Sequence, residues 1–486
     1  MKKKSLWLEG IESQNCSPLK SDIECDVLII GGGMTGLSTA YHLKNSSLDI
    51  CIVEQDLVAH GVSSKTTGKL TYLQELIYST LTKNYSKSHA KLYLNSQIEA
   101  IKLVEQIVNE NSINCDYHKV NSYIFTDKID NINKIKEEKA LLESFGIKVE
   151  EFNELPINLK SYCTIKVTDT AVFHPVKYLN ALKNILLTNN INIYEKTKVT
   201  ELKKEDGGYI CYANKHKIRA KTIVLACHYP FFIWPFIFPL KGYLERSYIS
   251  ASKVDESRDV SIINIDKKIK SVRYHNDYLI YLTGSHSLAT KYNVSKSFEL
   301  LLADLNKYNL KPDFIWSNYD IITNDSLPYI GYIDDNLIIG TGYNTWGMTN
   351  GSLAGEIISD LILKKDNKYA RLFDPRRNQG LTGVVGTLVD IYSSAKPFIE
   401  NKIIKNKSFY PDNVRFEMRD GQPVGIYVDR KGNEHIVRNK CPHLKCSLIF
   451  NEIEKTWDCP CHGSRFDIDG NCIQGPSSYD ISYKPK

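Results

Sequence analysis

Residues 25–36 read Cys25-Asp-Val-Leu-Ile-Ile-Gly31-Gly-Gly33-Met-Thr-Gly36. A short apolar run that ends in glycines is the pattern of a strand buried on both faces of a parallel sheet. Residues 34–44 then have helical character, and residues 48–54 read as the next strand. Strand, loop, helix and strand in that order begin a doubly wound sheet. Gly31, Gly33 and Gly36 fit G-x-G-x-x-G. Glycine is needed where the backbone turns and approaches a pyrophosphate, and the helix N-terminus favours that negative charge. Glu54 ends the second strand, 23 residues after Gly31. A carboxylate there can accept from both hydroxyls of a ribose. The unit points to a dinucleotide and does not separate FAD from NAD.

Outward from this unit, helical patterns occupy 82–110 and 130–145. Strand patterns recur at 192–194, 198–202, 209–213 and 222–226, and a late strand at 336–342 leads into a helix at 351–363. Residues 373–408 mix Pro, Arg and Gly and read as a connection. From Phe409 onward, short strands alternate with turns such as Arg419-Asp-Gly, Arg430-Lys-Gly and Ile468-Asp-Gly, the pattern of a small all-β module. With 486 residues the chain exceeds one core and predicts two or three domains.

Of 12 cysteines, five fall after residue 440. They interleave with histidine in two boxes, Cys441-Pro-His443-Leu-Lys-Cys446 and Cys459-Pro-Cys461-His462-Gly-Ser464. Clustered Cys and His favour a metal over a disulfide framework in a reducing compartment. Zinc accepts two Cys and two His. A zinc finger, however, pairs C-x₂₋₄-C with H-x₃₋₅-H, whereas each box here supplies one Cys and one His as ligands, with 15 residues between His443 and Cys459. That favours a [2Fe–2S] cluster on Cys441, His443, Cys459 and His462. Thiolates hold one iron, and two neutral imidazoles on the other raise the potential to roughly −150 to +300 mV.

This segment resembles the Rieske proteins, down to Cys459-Pro-Cys-His-Gly-Ser-Arg-Phe-Asp467 and Gly475-Pro-Ser477. The resemblance implies that Cys446 and Cys461 match the disulfide of the family's respiratory branch, and that Ser464 donates to a cluster sulfur. High-potential members carry Tyr two residues after that serine, and this chain has Phe466. One donor fewer to a site that gains negative charge implies a potential below that of the respiratory proteins. Lys445 stands where the family usually has Gly.

Residues 25 to about 375 resemble the D-amino-acid oxidase, glycine oxidase and sarcosine oxidase superfamily. The stretches that carry this are His60-Gly-Val-Ser-Ser-Lys-Thr-Thr-Gly68, Phe173-His-Pro175, Val199-Thr-Glu-Leu202, Ala226-Cys-His-Tyr-Pro230 and Gly340-Thr-Gly-Tyr-Asn-Thr-Trp-Gly-Met-Thr349. The resemblance implies FAD, with Ser63, Ser64, Thr66 and Thr67 along the pyrophosphate and flavin and Val199 at the adenine. It implies that Gly347, Met348 and Thr349 aim backbone N–H groups at the flavin's pyrimidine edge from a helix N-terminus. Reduced flavin gains negative charge there, which such a terminus stabilises. Residues 321–331 hold neither Cys nor His, so the FAD is expected to be non-covalent.

The whole arrangement resembles bacterial FAD-dependent oxidoreductases with a Rieske domain. It implies an α/β FAD-binding Rossmann-like domain (about 24–80, 166–240 and 321–372) with an inserted α+β substrate domain (about 81–165 and 241–320). A linker (373–408) and a small all-β Rieske domain (409–486) follow. The implied chemistry is oxidation of an amine or amino acid at a C–N bond, by hydride transfer to the flavin. Arg273 is the expected clamp for a substrate carboxylate, because its fork binds such a group in a bidentate way. Lys69 follows the flavin-lining loop and is the second candidate. Tyr243 and Trp346 are candidate pocket walls, and His174 and His228 read as structural.

Fusion of a one-electron centre to a two-electron cofactor predicts a one-electron acceptor or donor protein as partner. The alternative is a redox sensor or carrier with no organic substrate of its own, for which a filled cavity beside the flavin would speak. An oxygenase would need a mononuclear iron on two His and a carboxylate, and no such set is spaced outside the cluster boxes. A net charge of +6 is mild at this length and argues for no nucleic-acid partner. No apolar stretch follows Met1-Lys-Lys-Lys, and the run at 231–240 holds two prolines, so a cytoplasmic chain without membrane insertion is expected.

Overall fold

The computed structural model describes residues 1–231, 241–287, 294–377 and 413–484. Most of the expected linker, from residue 378, lies outside them, as do residues 409–412. Among the described residues no helix is long and apolar enough to cross a membrane.

The first sheet has Ile23–Ile30 at its centre, parallel to Ile50–Val53 on one side and His216–Leu225 on the other. Leu337–Thr341 extends it in parallel, Tyr329–Asp334 closes that edge antiparallel, and Asn192–Tyr194 closes the other. The hairpin Val199–Glu205 and Gly208–Ala213 leans off His216–Leu225. Val27, Leu28, Ile29, Ile223 and Val224 are buried, as a strand covered on both faces requires. Helix Met34–Leu43 follows the glycine loop and packs on helix Gly347–Ile362. A side chain at Gly355 would come within 2.3 Å of Ser38 Cβ, so glycine sets this approach.

The second sheet runs Pro312–Thr323, Gly242–Lys253, Tyr278–Ser287, Lys270–His275, Val260–Asn264, His118–Thr126, Cys163–Val172 and Lys69–Leu70. Its borders differ from those implied by resemblance. Lys69 pairs with Val172, so Lys69–Leu70 and all of Cys163–Val172 belong here rather than to the dinucleotide domain. Pro312–Thr323 likewise stays paired with Gly242–Lys253 beyond residue 320. Backbone pairing, which composition does not reveal, decides these limits. The expected helix at 82–110 is two helices, Ile77–Asn84 and Lys87–Glu110, the second capped by Ser86 accepting from His89 N. His174 caps helix Pro175–Thr188 through Nδ1, a structural role.

The C-terminal module holds a three-stranded sheet, Val414–Arg419, Gln422–Val428 and Glu434–Arg438. A four-stranded sheet, Ile449–Asn451, Thr456–Asp458, Arg465–Phe466 and Cys472–Gln474, lies against it. Trp457, Phe466 and Val437 are fully buried between them. Gly425 makes room, since a Cβ there would lie 2.5 Å from the Trp457 ring.

Candidate functional site

The glycine loop is shaped by contact, not by freedom alone. Gly31 has φ +118, and a Cβ there would meet Ala226 O at 2.4 Å. A Cβ on Gly36 would meet Gly31 O at 1.9 Å, so Gly36 serves loop–helix packing. Gly31, Gly33, Glu54, Ser63, Thr66, Val199, Gly347 and Met348 all line one elongated cavity. Two helices begin on it, at Met34 and Gly347, and neither N-cap residue supplies a side-chain cap. Two helix N-termini on one cavity suit an anionic pyrophosphate and an electron-rich flavin edge. The buried Thr349 Oγ1 has no hydrogen-bond partner. Helix N-termini, the glycine cradle and Glu54, which lines the cavity and accepts from Gly32 N and Asp56 N, together fit FAD. Ser64 departs from expectation: it is fully buried and donates to His60 O and Gly61 O, holding the turn. His228, expected to be structural, lines this cavity, as do Cys227 and Tyr229.

A second cavity, of about 470 Å³, adjoins the first and shares Lys65, Thr66, Asn318, Asp320, Thr345 and Met348 with it. Thr67, Lys69 and Trp346 line it, while Tyr243 does not. Lys69 Nζ donates to Ile262 O at 2.8 Å and Ser271 Oγ at 2.7 Å. Burial and the neighbouring Arg273 hold this amine well below its usual range. Arg273 is not the expected clamp. It does not line the cavity, is fully buried, and donates to the carbonyls of Thr67, Gly68, Phe173 and Tyr274. Gly68, at φ +71, leaves the space that Arg273 fills. The guanidinium thus ties the flavin-side loop to the second sheet. Three acids that the sequence did not single out do line the cavity: Glu75, Glu245 and Asp320. Their signal lay in strand register, which only the pairing of distant strands supplies.

In the C-terminal module, Cys441–Cys446 forms one loop and the 459–464 turn the other. Cys446 and Cys461 form a disulfide, and the Sγ atoms of Cys446, Cys459 and Cys461 lie within 4.8 Å of one another. The rings of His443 and His462 are 5.0 Å apart. Nδ1 of both is buried without a hydrogen-bond partner, as is Nε2 of His462. Orphaned imidazole nitrogens in loops that also carry the buried Cys441 and Cys459 are what a [2Fe–2S] cluster would satisfy. Ser464 hydrogen-bonds the Cys441 thiol and accepts from Ser477 N. Lys445 sits at φ +60, which explains why glycine suits that position.

The two parts meet over the outer face of strands Gly242–Lys253 and Pro312–Thr323. Arg246, about 1% exposed, donates to Asp458 at 2.9 Å, to Ser317, and to Glu454. Arg465 bonds Asp458 at 3.2 Å and Glu454 at 2.9 Å. Tyr319 OH reaches Asp458, and both guanidinium groups lie over its ring. Burial pushes the Glu454 and Asp458 carboxyls up, but Arg465 and Arg246 more than cancel it and hold both low. Beside this cluster, Tyr229 lies 6.0 Å, ring to ring, from His462. Residues 473–478 of the C-terminal module complete the wall of the dinucleotide cavity.

Comparison with known proteins agrees with this geometry. The family model for FAD dependent oxidoreductase matches residues 26–361, and that for the Rieske [2Fe-2S] domain matches 400–483. YhfW of Bacillus subtilis (strain 168), a Rieske 2Fe-2S iron-sulfur protein by name, is 32% identical over 97% of this chain and 95% of its own. Gamma-glutamylputrescine oxidoreductase of Escherichia coli (strain K12) is 22% identical over 71% of this chain and 85% of its own. The crystal structure of glycine oxidase from Geobacillus kaustophilus superposes with a TM-score of 0.62 at 17% identity, over 73% of this chain and 99% of that one, which speaks for the fold. The chain therefore belongs to the FAD dependent oxidoreductase family and carries a C-terminal Rieske [2Fe-2S] domain.

Proposed function

We propose that this protein oxidises an amine or amino acid at a C–N bond and passes the electrons singly, through its own Rieske cluster, to an outside acceptor. The observation that carries the reading is the contact between Tyr229, in the wall of the dinucleotide cavity, and His462, a cluster ligand. When bound, FAD supplies a two-electron acceptor for the hydride beside nitrogen, and the cluster supplies a one-electron exit. The chain's own part is positioning. Gly347 and Met348 begin a helix on the cavity wall, and its N-terminus would stabilise negative charge on a bound flavin. Arg273 fixes the loop at Thr67 and Gly68. The buried Arg246–Glu454–Asp458–Arg465 cluster holds the Rieske module against the flavin domain.

The ligands differ in exposure. His462 is about 6% exposed and faces the flavin domain, while His443 is half-buried beside the exposed Leu444. This supports entry of electrons past His462 and exit past His443. The adjoining open cavity supports an enzyme over a carrier without substrate. The test is anaerobic titration of the holoprotein with amino acids and N-methyl amines, following flavin and cluster absorbance together. Bleaching of both by one compound is expected. Bleaching of neither, with dithionite still reducing both, would overturn the proposal.

A further inference from the structure

Residues 473–478 belong to the Rieske module, yet they line the dinucleotide cavity together with Gly31, Glu54, Lys198 and Val199. Cys472, next to this segment, has the Lys198 amine as a neighbour, so the segment starts where Glu54 and Val199 bound the cavity. Pro476 and Ser477 are buried, whereas Ile473 is 47% exposed and gives the cavity an apolar surface. A module that only received electrons would need to lie near the flavin, not to build the wall of its cavity.

The segment is held in place by the hairpin of Arg465–Phe466 with Cys472–Gln474. Gln474, on the cavity wall, pairs directly with Arg465. Arg465 bonds Glu454 and Asp458, which also receive Arg246 from the second sheet. Ile453, beside Glu454, packs against an apolar cluster of the second sheet. One residue before Arg465, Ser464 accepts from Ser477 N at 3.0 Å and hydrogen-bonds the Cys441 thiol. Ser464 and Arg465 therefore tie together the cluster loops, the domain interface and the wall of the dinucleotide cavity. Coupling between sites travels through such contiguous packed and hydrogen-bonded chains.

We propose that residues 473–478 are part of the FAD site and make retention of FAD depend on the neighbouring cluster. A metal centre organises the loops that ligate it. With Cys441 held as a ligand, Ser464 keeps its partner, Ser477 keeps its acceptor, and the segment stays on the cavity. With the cluster gone, the loops at Cys441 and His443 lose what orders them, and the wall loosens through Ser464 and Ser477. Coupling between two binding events is reciprocal, so each cofactor should tighten the other by the same factor. This coupling is independent of the C–N oxidation reading and of the substrate.

The experiment measures free against bound FAD in the holoprotein at graded dilution, by ultrafiltration and flavin fluorescence. Ile473→Ser alters the wall at an exposed residue, away from the ion cluster and the iron ligands. It should weaken FAD about fivefold, with the visible circular dichroism of the cluster unchanged. Removal of the cluster with dithionite and a ferrous chelator, followed by desalting and reoxidation, should weaken FAD about tenfold with the far-ultraviolet circular dichroism retained. FAD-free protein should in turn lose its cluster to the chelator more readily than the holoprotein. If the cluster-free protein loses its secondary structure, Ser464→Ala takes its place: it keeps all four iron ligands and should weaken FAD a few-fold. An FAD affinity unchanged by Ile473→Ser, or unchanged by loss of the cluster or by the Ser464→Ala that replaces it, overturns the proposal.

Discussion

The paired strands Gly242–Lys253 and Pro312–Thr323 carry charge on both faces, and the two faces treat it in opposite ways. Outward, Arg246 and Tyr319 meet Glu454, Asp458 and Arg465, two cations against two anions. Inward, Glu245 and Asp320 stand opposite each other, with Glu75 nearby. A matched cluster sealed from water is an interface already made. In a like-charge pair beside a cavity, burial and then Glu245 instead push up the carboxyl of Asp320. Residue type does not distinguish them; only the partner across the gap does.

The sharpest way to break this comparison is to unbalance the outer face. Arg246→Ala leaves Glu454 and Asp458 buried with one cation. Loss of a partner from a buried ion cluster costs about 3–5 kcal/mol. Urea unfolding followed by cluster absorbance should show that loss, with the Rieske module melting first. Glu245→Gln on the inner face should change stability by less than about 1 kcal/mol, or raise it, because it relieves a like-charge pair. Equal losses at both sites would erase the distinction.

Acidity separates the faces next. Glu454 and Asp458 are held below their ordinary range by Arg465 and Arg246 against the opposing effect of burial. Their contribution is complete above the ordinary carboxylate pKa and is lost as pH falls below about 4. Glu75 and Asp320 are pushed up to about 7, by burial first and then by Glu245. Their contribution has the reverse sign: stability falls as pH rises between about 4 and 7. Thermal unfolding at pH 5 and pH 8 should show the protein losing stability with rising pH relative to Asp320→Asn. A difference between the two proteins that does not change with pH would contradict the assignment of these carboxyls.

The smallest expected effect lies inside the cluster loops. Phe466 is fully buried and pairs with Trp457 across the strands. Phe466→Tyr offers one further hydrogen bond toward the reduced cluster, worth about 1 kcal/mol, or about 40 mV for one electron. Protein-film voltammetry should find the potential raised by that amount, with the interface unaffected.

Where function depends on residues close in sequence, the sequence was readable. Gly31 to Gly36, Glu54 and the two Cys-His boxes lie within short loops whose spacing fixes their geometry, and the cavity and cluster loops form there. Arg273 was misread for the opposite reason. A lone Arg on a strand suggests a carboxylate clamp, but its partners are carbonyls at Thr67, Gly68 and Phe173, more than a hundred residues away in two cases. The acids at 75, 245 and 320 were passed over because they become neighbours only through the pairing of strands and one loop. Domain limits near 80 and 166 shifted for the same cause, since the Lys69–Val172 pair is non-local.

In the proposed function, one chain carries electrons from an amine past the flavin to its own cluster. Anaerobic stopped-flow mixing of the holoprotein with a reducing amine, repeated over a tenfold range of protein concentration, tests it most directly. Cluster absorbance is expected to bleach after the flavin, at a first-order rate independent of protein concentration. A flavin that stays reduced beside an oxidised cluster, or a cluster rate that rises in proportion to protein concentration, would contradict it.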